Sequence, residues 1–209
     1  MKNIIKLTVG VATIAASVGA SADSITTLFN RNNGGSNGGA VYFDVVVGAN
    51  DLEITGFDTN TADIVASFGW TVWTRVGTYV GFTGSNAGWT QVATGTGVGL
   101  GVNLPSPVTI NAPFTLDANT TNGMALVIGP EAGHDYSGTG SSSLPGALQY
   151  SNADVTLNLG SAGNVPFSGS VFTPRIWNGT MYYNVVPEPG TFLAVGIGLA
   201  GLALLRRKK

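Results

Sequence analysis

Cysteine is absent from this sequence, and histidine occurs once. The first absence excludes disulfides, a thiol nucleophile and cysteine-ligated metals. One histidine without cysteine also leaves zinc a poor ligand set. Charge is scarce, at 10% of residues, and all four lysines lie at the ends, at positions 2, 6, 208 and 209. Between Asp23 and Glu188 the basic residues are Arg31, Arg75 and Arg175, set against all 11 acids, so this stretch carries −8 rather than the −2 of the whole chain. A nucleic-acid binder presents a basic face. That partner class is therefore excluded, and attachment to anionic lipid headgroups by charge is excluded with it. A helical apolar period is missing from the body as well.

What is present begins with the two ends. Met1 starts a stretch in which Lys2 and Lys6 precede an apolar region at residues 7–18, followed by Ala20-Ser21-Ala22. A basic start, an apolar centre and a small-x-small site describe a secretory signal peptide over residues 1–22, cut after Ala22 by way of the general secretion machinery. An uncleaved anchor helix is the alternative.

At the other end, Pro187-Glu188-Pro189 precedes an uncharged apolar run at residues 192–205, and Arg206, Arg207, Lys208 and Lys209 close the chain. A helix of that length would reach about 21 Å, short of a bilayer core of about 30 Å. Local thinning and snorkelling of the basic cluster would let it cross, and the cluster marks the cytoplasmic side. Each proline holds the residue before it extended, which leaves the motif open to a protease.

This three-part tail, at residues 185–209, resembles the PEP-CTERM sorting signal. The resemblance implies a Gram-negative source and recognition by an exosortase, a membrane-embedded protease, with cleavage near Pro187, Glu188 and Pro189. It implies an inner-membrane-anchored precursor that moves to the cell surface or the exterior, and an association with biofilm and extracellular polysaccharide. A permanent tail anchor is the alternative use of the same residues.

The body, residues 23–184, is rich in Gly, Thr, Ser and Asn, yet its apolar segments alternate too regularly for disorder. Residues 23–39 read as a loose, turn-rich entry. Ala40–Val47 alternates, with Val41, Phe43, Val45 and Val47 on one face and Tyr42 and Asp44 on the other. Residues 52–57 and 68–76 follow as strands, and weaker ones are predicted at 79–82, 89–93, 98–102, 108–110 and 114–116. Residues 123–129 are almost wholly apolar, which predicts a central strand buried on both faces. Residues 130–146 read as the longest loop. Residues 155–159 alternate, and Asn178-Gly179 predicts a type I′ hairpin between 173–177 and 180–184. Some ten short strands with frequent turn signals predict an all-β body, a β-sandwich or jelly roll. Segments such as G-A-V-Y-F-D-V and S-G-S-V-F-T-P-R-I-W-N-G-T resemble extracellular β-domains found in front of such tails, with no activity attached.

Few residues point to chemistry. His134-Asp135 has the form of a general base beside an orienting carboxylate, but no G-x-S-x-G elbow accompanies it. Asp51, Glu53, Asp58 and Asp63 offer carboxylates for glycoside hydrolysis or calcium, without an EF-hand or a calcium-binding nonapeptide. No catalytic set and no metal or cofactor site is assigned, calcium remaining the one open option. Alternation opposes Trp70 to Trp73, so an outward Trp73 with Arg75 and Tyr79 would offer a sugar-stacking face; covering of that face by loops would make Trp73 structural. Trp89 and Trp177 are expected in the core. The reading is an exported, non-enzymatic surface or matrix protein, structural or adhesive, with a carbohydrate-binding module as the alternative and a hydrolase as a distant third.

Overall fold

The computed structural model describes residues 23–138 and 146–186. The signal-peptide residues with Ala20 and Ala22, the Pro187-Glu188-Pro189 motif, the apolar run at 192–205 and the basic residues 206–209 lie outside the described residues.

The described chain forms thirteen strands: β1 (Asp23–Thr26), β2 (Asn33–Asn37), β3 (Ala40–Val47), β4 (Asp51–Thr59), β5 (Ile64–Val76), β6 (Thr90–Leu100), β7 (Ser106–Leu116), β8 (Thr121–Ile128), β9 (Gly133–Ser137), β10 (Gln149–Ser151), β11 (Val155–Gly163), β12 (Ile176–Trp177) and β13 (Gly179–Val186). Ten of them make one antiparallel sheet, in the order β1-β13-β4-β7-β6-β5-β8-β3-β11-β10. The sheet curls until its edges approach. Asn152, just beyond β10, donates Nδ2 to the Ser24 carbonyl of β1 (3.3 Å) and to Tyr183 Oη of β13 (2.7 Å). The result is all-β and sandwich- or barrel-like, with little open edge to template aggregation.

The core fills the inside of the curl. Val41, Phe43, Val45 and Val47 point inward from β3, as their alternation requires, beside Met124, Leu126 and Ile128 of β8. Phe43 stacks on Trp177 with ring centroids 5.2 Å apart. Strands β3 and β8 are buried on both faces, because Ala40, Tyr42 and Ala125 belong to a second cluster outside the sheet. Strand β6 inverts the usual pattern: Gly95, Gly97 and Gly99 face inward while Val98 and Leu100 are 41% and 43% exposed. A Cβ on Gly97 would overlap the Phe68 ring, so the glycine makes room for the larger side chain across the pair.

A three-stranded sheet, β12-β9-β2, closes the end of the curl where β4 finishes and β13 begins. The Asp135 amide donates to the Asn60 carbonyl (2.8 Å), and the Asn60 amide donates to the Asn178 carbonyl (3.0 Å).

This end departs most from the sequence expectations. The loop expected over 130–146 contains β9, buried along its whole length. The expected 173–184 hairpin does not form. Trp177 pairs with Tyr136 in the small sheet, while Gly179 begins a strand paired with β4 and, along part of its length, with β1. Gly179 is not among the positive-φ glycines a type I′ turn would need. Burial of Trp177 against Phe43 outweighs the local turn preference, since enclosing a large side chain contributes about 1.5–3 kcal/mol. Residues 79–82 are a turn closed by Phe82 N to Tyr79 O (3.0 Å) rather than a strand. The segments 89–93 and 98–102 merge into β6, and 108–110 and 114–116 merge into β7. The entry expected to be loose supplies β1 and β2.

Candidate functional site

Strand β5 does bring Trp73 and Arg75 to the outer face, and Tyr79 joins them, but the face is covered. The segment after β5 folds back over the sheet because Asp44 accepts from Thr78 Oγ1 (2.7 Å) and from the Tyr79 amide (2.8 Å). Tyr79 is then only 8% exposed. Trp89 Nε1 donates to Phe82 O (2.8 Å), and the Arg75 guanidinium lies 3.4 Å over the Phe82 ring. From the far side of the sequence Phe167 drops onto this layer. Its ring lies 5.3 Å from Trp73, 5.5 Å from Trp89 and 5.9 Å from Tyr42, and its amide donates to Tyr42 Oη (2.8 Å). Phe167 has φ of 54°, a costly conformation for a bulky residue; its three aromatic neighbours offset that cost. The open stacking platform expected at Trp73, Arg75 and Tyr79 is thus corrected to a packed aromatic layer.

The His134-Asp135 pair is corrected too. Adjacent strand residues point to opposite faces, so Asp135 cannot orient the imidazole. His134 is 1% exposed, with Nε2 3.1 Å from Leu126 O and Nδ1 3.3 Å from Thr59 Oγ1. A carbonyl only accepts, so Nε2 carries the proton and Nδ1 accepts from Thr59. Trp177 Nε1 in turn donates to Thr59 Oγ1 (3.3 Å). Burial pushes the His134 pKa down to about 4, against a small rise from the Leu126 carbonyl. This neutral histidine is a structural linker.

Asp135 faces Arg31, with Nε 3.3 Å from Oδ1. Burial raises its carboxyl to about 6, Arg31 opposing and Asp63 adding to the rise. The other carboxylates are engaged in the fold. Asp51 accepts from the Ala118 amide (2.7 Å), Glu53 from Asn184 (3.0 Å) and Asp63 from the Gly133 amide (2.9 Å). Asp58 accepts from Tyr182 Oη (2.6 Å), a bond that leads the causes pushing that phenol up to about 12. Among the described residues no group of three or more His, Asp or Glu is placed to hold a metal ion.

One concave site was not foreseen. A cavity of about 160 Å³ is lined by Asn33, Gly34, Tyr136, Asn164, Phe172 and Arg175. Arg175 is 7% exposed, and its guanidinium lies 5.6 Å over the Tyr136 ring and 5.5 Å over the Phe172 ring. Nη1 donates to Pro174 O (2.7 Å), while Nε is buried with no acceptor. The lining residues come from β2, β9 and the segment between β11 and β12, so no local sequence signal joins them. A faint sign was available: Arg175 is one of only three body cations. The cavity lies at the Gly179 end of β13, and the chain leaves the described body at Val186, roughly 24 Å along the strand.

No curated protein matches the chain. Among solved structures it is 14% identical to the infectious bursal disease virus VP2 subviral particle, covering 97% of this chain and 54% of that one at a TM-score of 0.26. It is also 14% identical to the structure of the Gt strain of that virus, covering 91% and 48% at a TM-score of 0.25. The chain spans about half the length of each. Residues 185–208 match the PEP-CTERM protein-sorting motif, so the chain carries the signal of an exosortase substrate, an exported protein processed at the membrane.

Proposed function

We propose that the body serves outside the cell as a non-catalytic, structural or adhesive component of biofilm, held in extracellular polysaccharide. Residues 1–22 deliver the chain through the general secretion machinery, and the tail holds it at the inner membrane until the sorting protease acts. The observation that carries this reading is the use of acid–base groups within the fold. The sole histidine is buried and neutral between Thr59 and Leu126, and Asp44, Asp51, Glu53, Asp58 and Asp63 all accept hydrogen bonds that fasten loops and strands. General acid–base catalysis needs a group free to exchange its proton with substrate. A curled sheet with little open edge also suits a protein that must persist outside the cell.

A carbohydrate-binding role is the second reading, and the Arg175 cavity rather than the Trp73 face favours it. The test of the first reading is a producing strain with and without this chain. The expected result is that the body co-fractionates with washed matrix polysaccharide and that its loss lowers biofilm cohesion. Recovery of the body wholly in the free medium, with unchanged cohesion, would overturn the proposal.

A further inference from the structure

We infer that the Arg175 cavity is a binding site for a single carboxylate-bearing sugar residue, such as a uronic acid. Three features of the cavity carry this. The first is an uncompensated charge. The neighbouring Arg31 has a carboxylate partner in Asp135, although Asp135 Oδ2 is itself buried without a hydrogen bond, whereas Arg175 has no carboxylate partner among the described residues and retains a buried Nε without an acceptor. A guanidinium cannot shed its proton, so a buried one without an anion is an expensive arrangement that a bound anion relieves.

The second is shape. The guanidinium lies against the rings of Tyr136 and Phe172. Its planar fork matches a planar carboxylate with two parallel hydrogen bonds. Phosphate monoesters offer the same fork two oxygens but carry more charge than one arginine offsets, and sulfate monoesters, with a single charge, are separated from a carboxylate by the titration below. The rings also give a sugar an apolar surface beside the charge.

The third is the lining. Asn164 uses Oδ1 to accept from the Ser36 amide (3.2 Å) and Asn33 uses Oδ1 to accept from the Gly34 amide (2.9 Å). Their amide NH₂ groups remain as donors, with Asn33 Nδ2 also reaching Gly138 O (3.2 Å). Donors without a carboxylate suit an anion with hydroxyls. The volume of about 160 Å³ is below the roughly 300–1,000 Å³ of larger ligand pockets, so one residue enters rather than an oligosaccharide. This ligand class sharpens the polysaccharide side of the matrix reading, but monosaccharide binding is measured independently of matrix retention.

The test is calorimetric titration of the full-length chain in non-ionic detergent with galacturonate, glucuronate, galactose 6-sulfate and glucose. Saturable binding of a uronate, at least tenfold tighter than of glucose or the sulfated sugar, is expected. Arg175→Lys should weaken it at least tenfold. Because altering a buried arginine can disturb folding, Asn164→Asp is the second variant. Asn164 is exposed, and aspartate keeps the acceptor for Ser36 while placing a negative charge at the rim; it should also weaken uronate binding at least tenfold with an unchanged melting curve. No uronate binding, equal binding of glucose or the sulfated sugar, or unchanged affinity in a folded Asn164→Asp variant would overturn the inference.

Discussion

Asp23 stands directly opposite Tyr183 across the β1–β13 pair. The first described strand is therefore fastened to the last, and the two ends of the body emerge at the same end of the curled sheet. The Arg175 cavity is at the other end. The sorting signal matched at residues 185–208 therefore continues from the end of the sheet away from the cavity.

Removing β1 should uncover β13 as a long edge. Ile25 is 5% exposed, and Thr26 Oγ1 lies 2.9 Å from Thr180 Oγ1. Deleting residues 23–26 is expected to lower stability by about 2–4 kcal/mol, mostly through lost apolar burial and strand pairing. It should also produce concentration-dependent association, since an unpaired edge templates another strand. Light scattering across a dilution series checks this.

Trp73→Ala separates the packed layer from a sugar platform. Trp73 is half-buried against Phe167, so the expected effect is a loss of about 1–3 kcal/mol, below the full cost of a core tryptophan. Chemical denaturation measures that loss, and retention of the folded variant on polysaccharide should stay unchanged. Lost retention at full stability would restore the platform.

Gly160→Ala tests the same layer from beneath. A Cβ there would overlap the Tyr79 hydroxyl, whose Oη lies 3.3 Å from Ser161 Oγ. Overpacking of this kind costs typically about 1–3 kcal/mol. The expected drop in melting temperature should be partly relieved by adding Tyr79→Phe, which removes the closest overlapping atom but leaves the ring Cζ 2.8 Å from the added Cβ.

Much of this architecture was legible from period-two alternation. Ala40–Val47 has the bounds its pattern predicts, and the apolar run at 123–129 is a strand buried on both faces. Alternation also placed Trp70 inward and Trp73 outward. It could not say what lies over the outer face, because Phe167 reaches Trp73 from nearly a hundred positions away. Strand β9 was hidden for a different reason. Its Gly-His-Asp-Tyr-Ser sequence has no apolar period, since it is buried by hydrogen bonds to Thr59 and Leu126 and by an ion pair to Arg31. The Asn178-Gly179 turn signal was a true local preference overridden by the burial of Trp177.

Acid dependence should reveal the opposition of His134 and Asp135. His134 falls from 6.5 to about 4 on folding, so its contribution is complete above pH 6.5 and lost as pH drops toward 4. Asp135 rises from 3.8 to about 6, so its contribution is complete below pH 3.8 and lost as pH rises through 6. The two slopes oppose each other in the shared window. Asp135→Asn removes one, and its stability should climb more steeply with pH than the wild type between 4 and 6, by up to about 1.4 kcal/mol per pH unit. Urea midpoints across that range check the difference.

The most direct measurement is the intact mass and cell fraction of an epitope-tagged chain, with and without Pro187-Glu188-Pro189, in a host encoding an exosortase. The expected result is a wild-type body outside the cell with a mass lacking the residues after the motif, and a deletion variant held in the membrane with its tail intact. Identical masses and identical fractions for the two chains would contradict sorting through this signal.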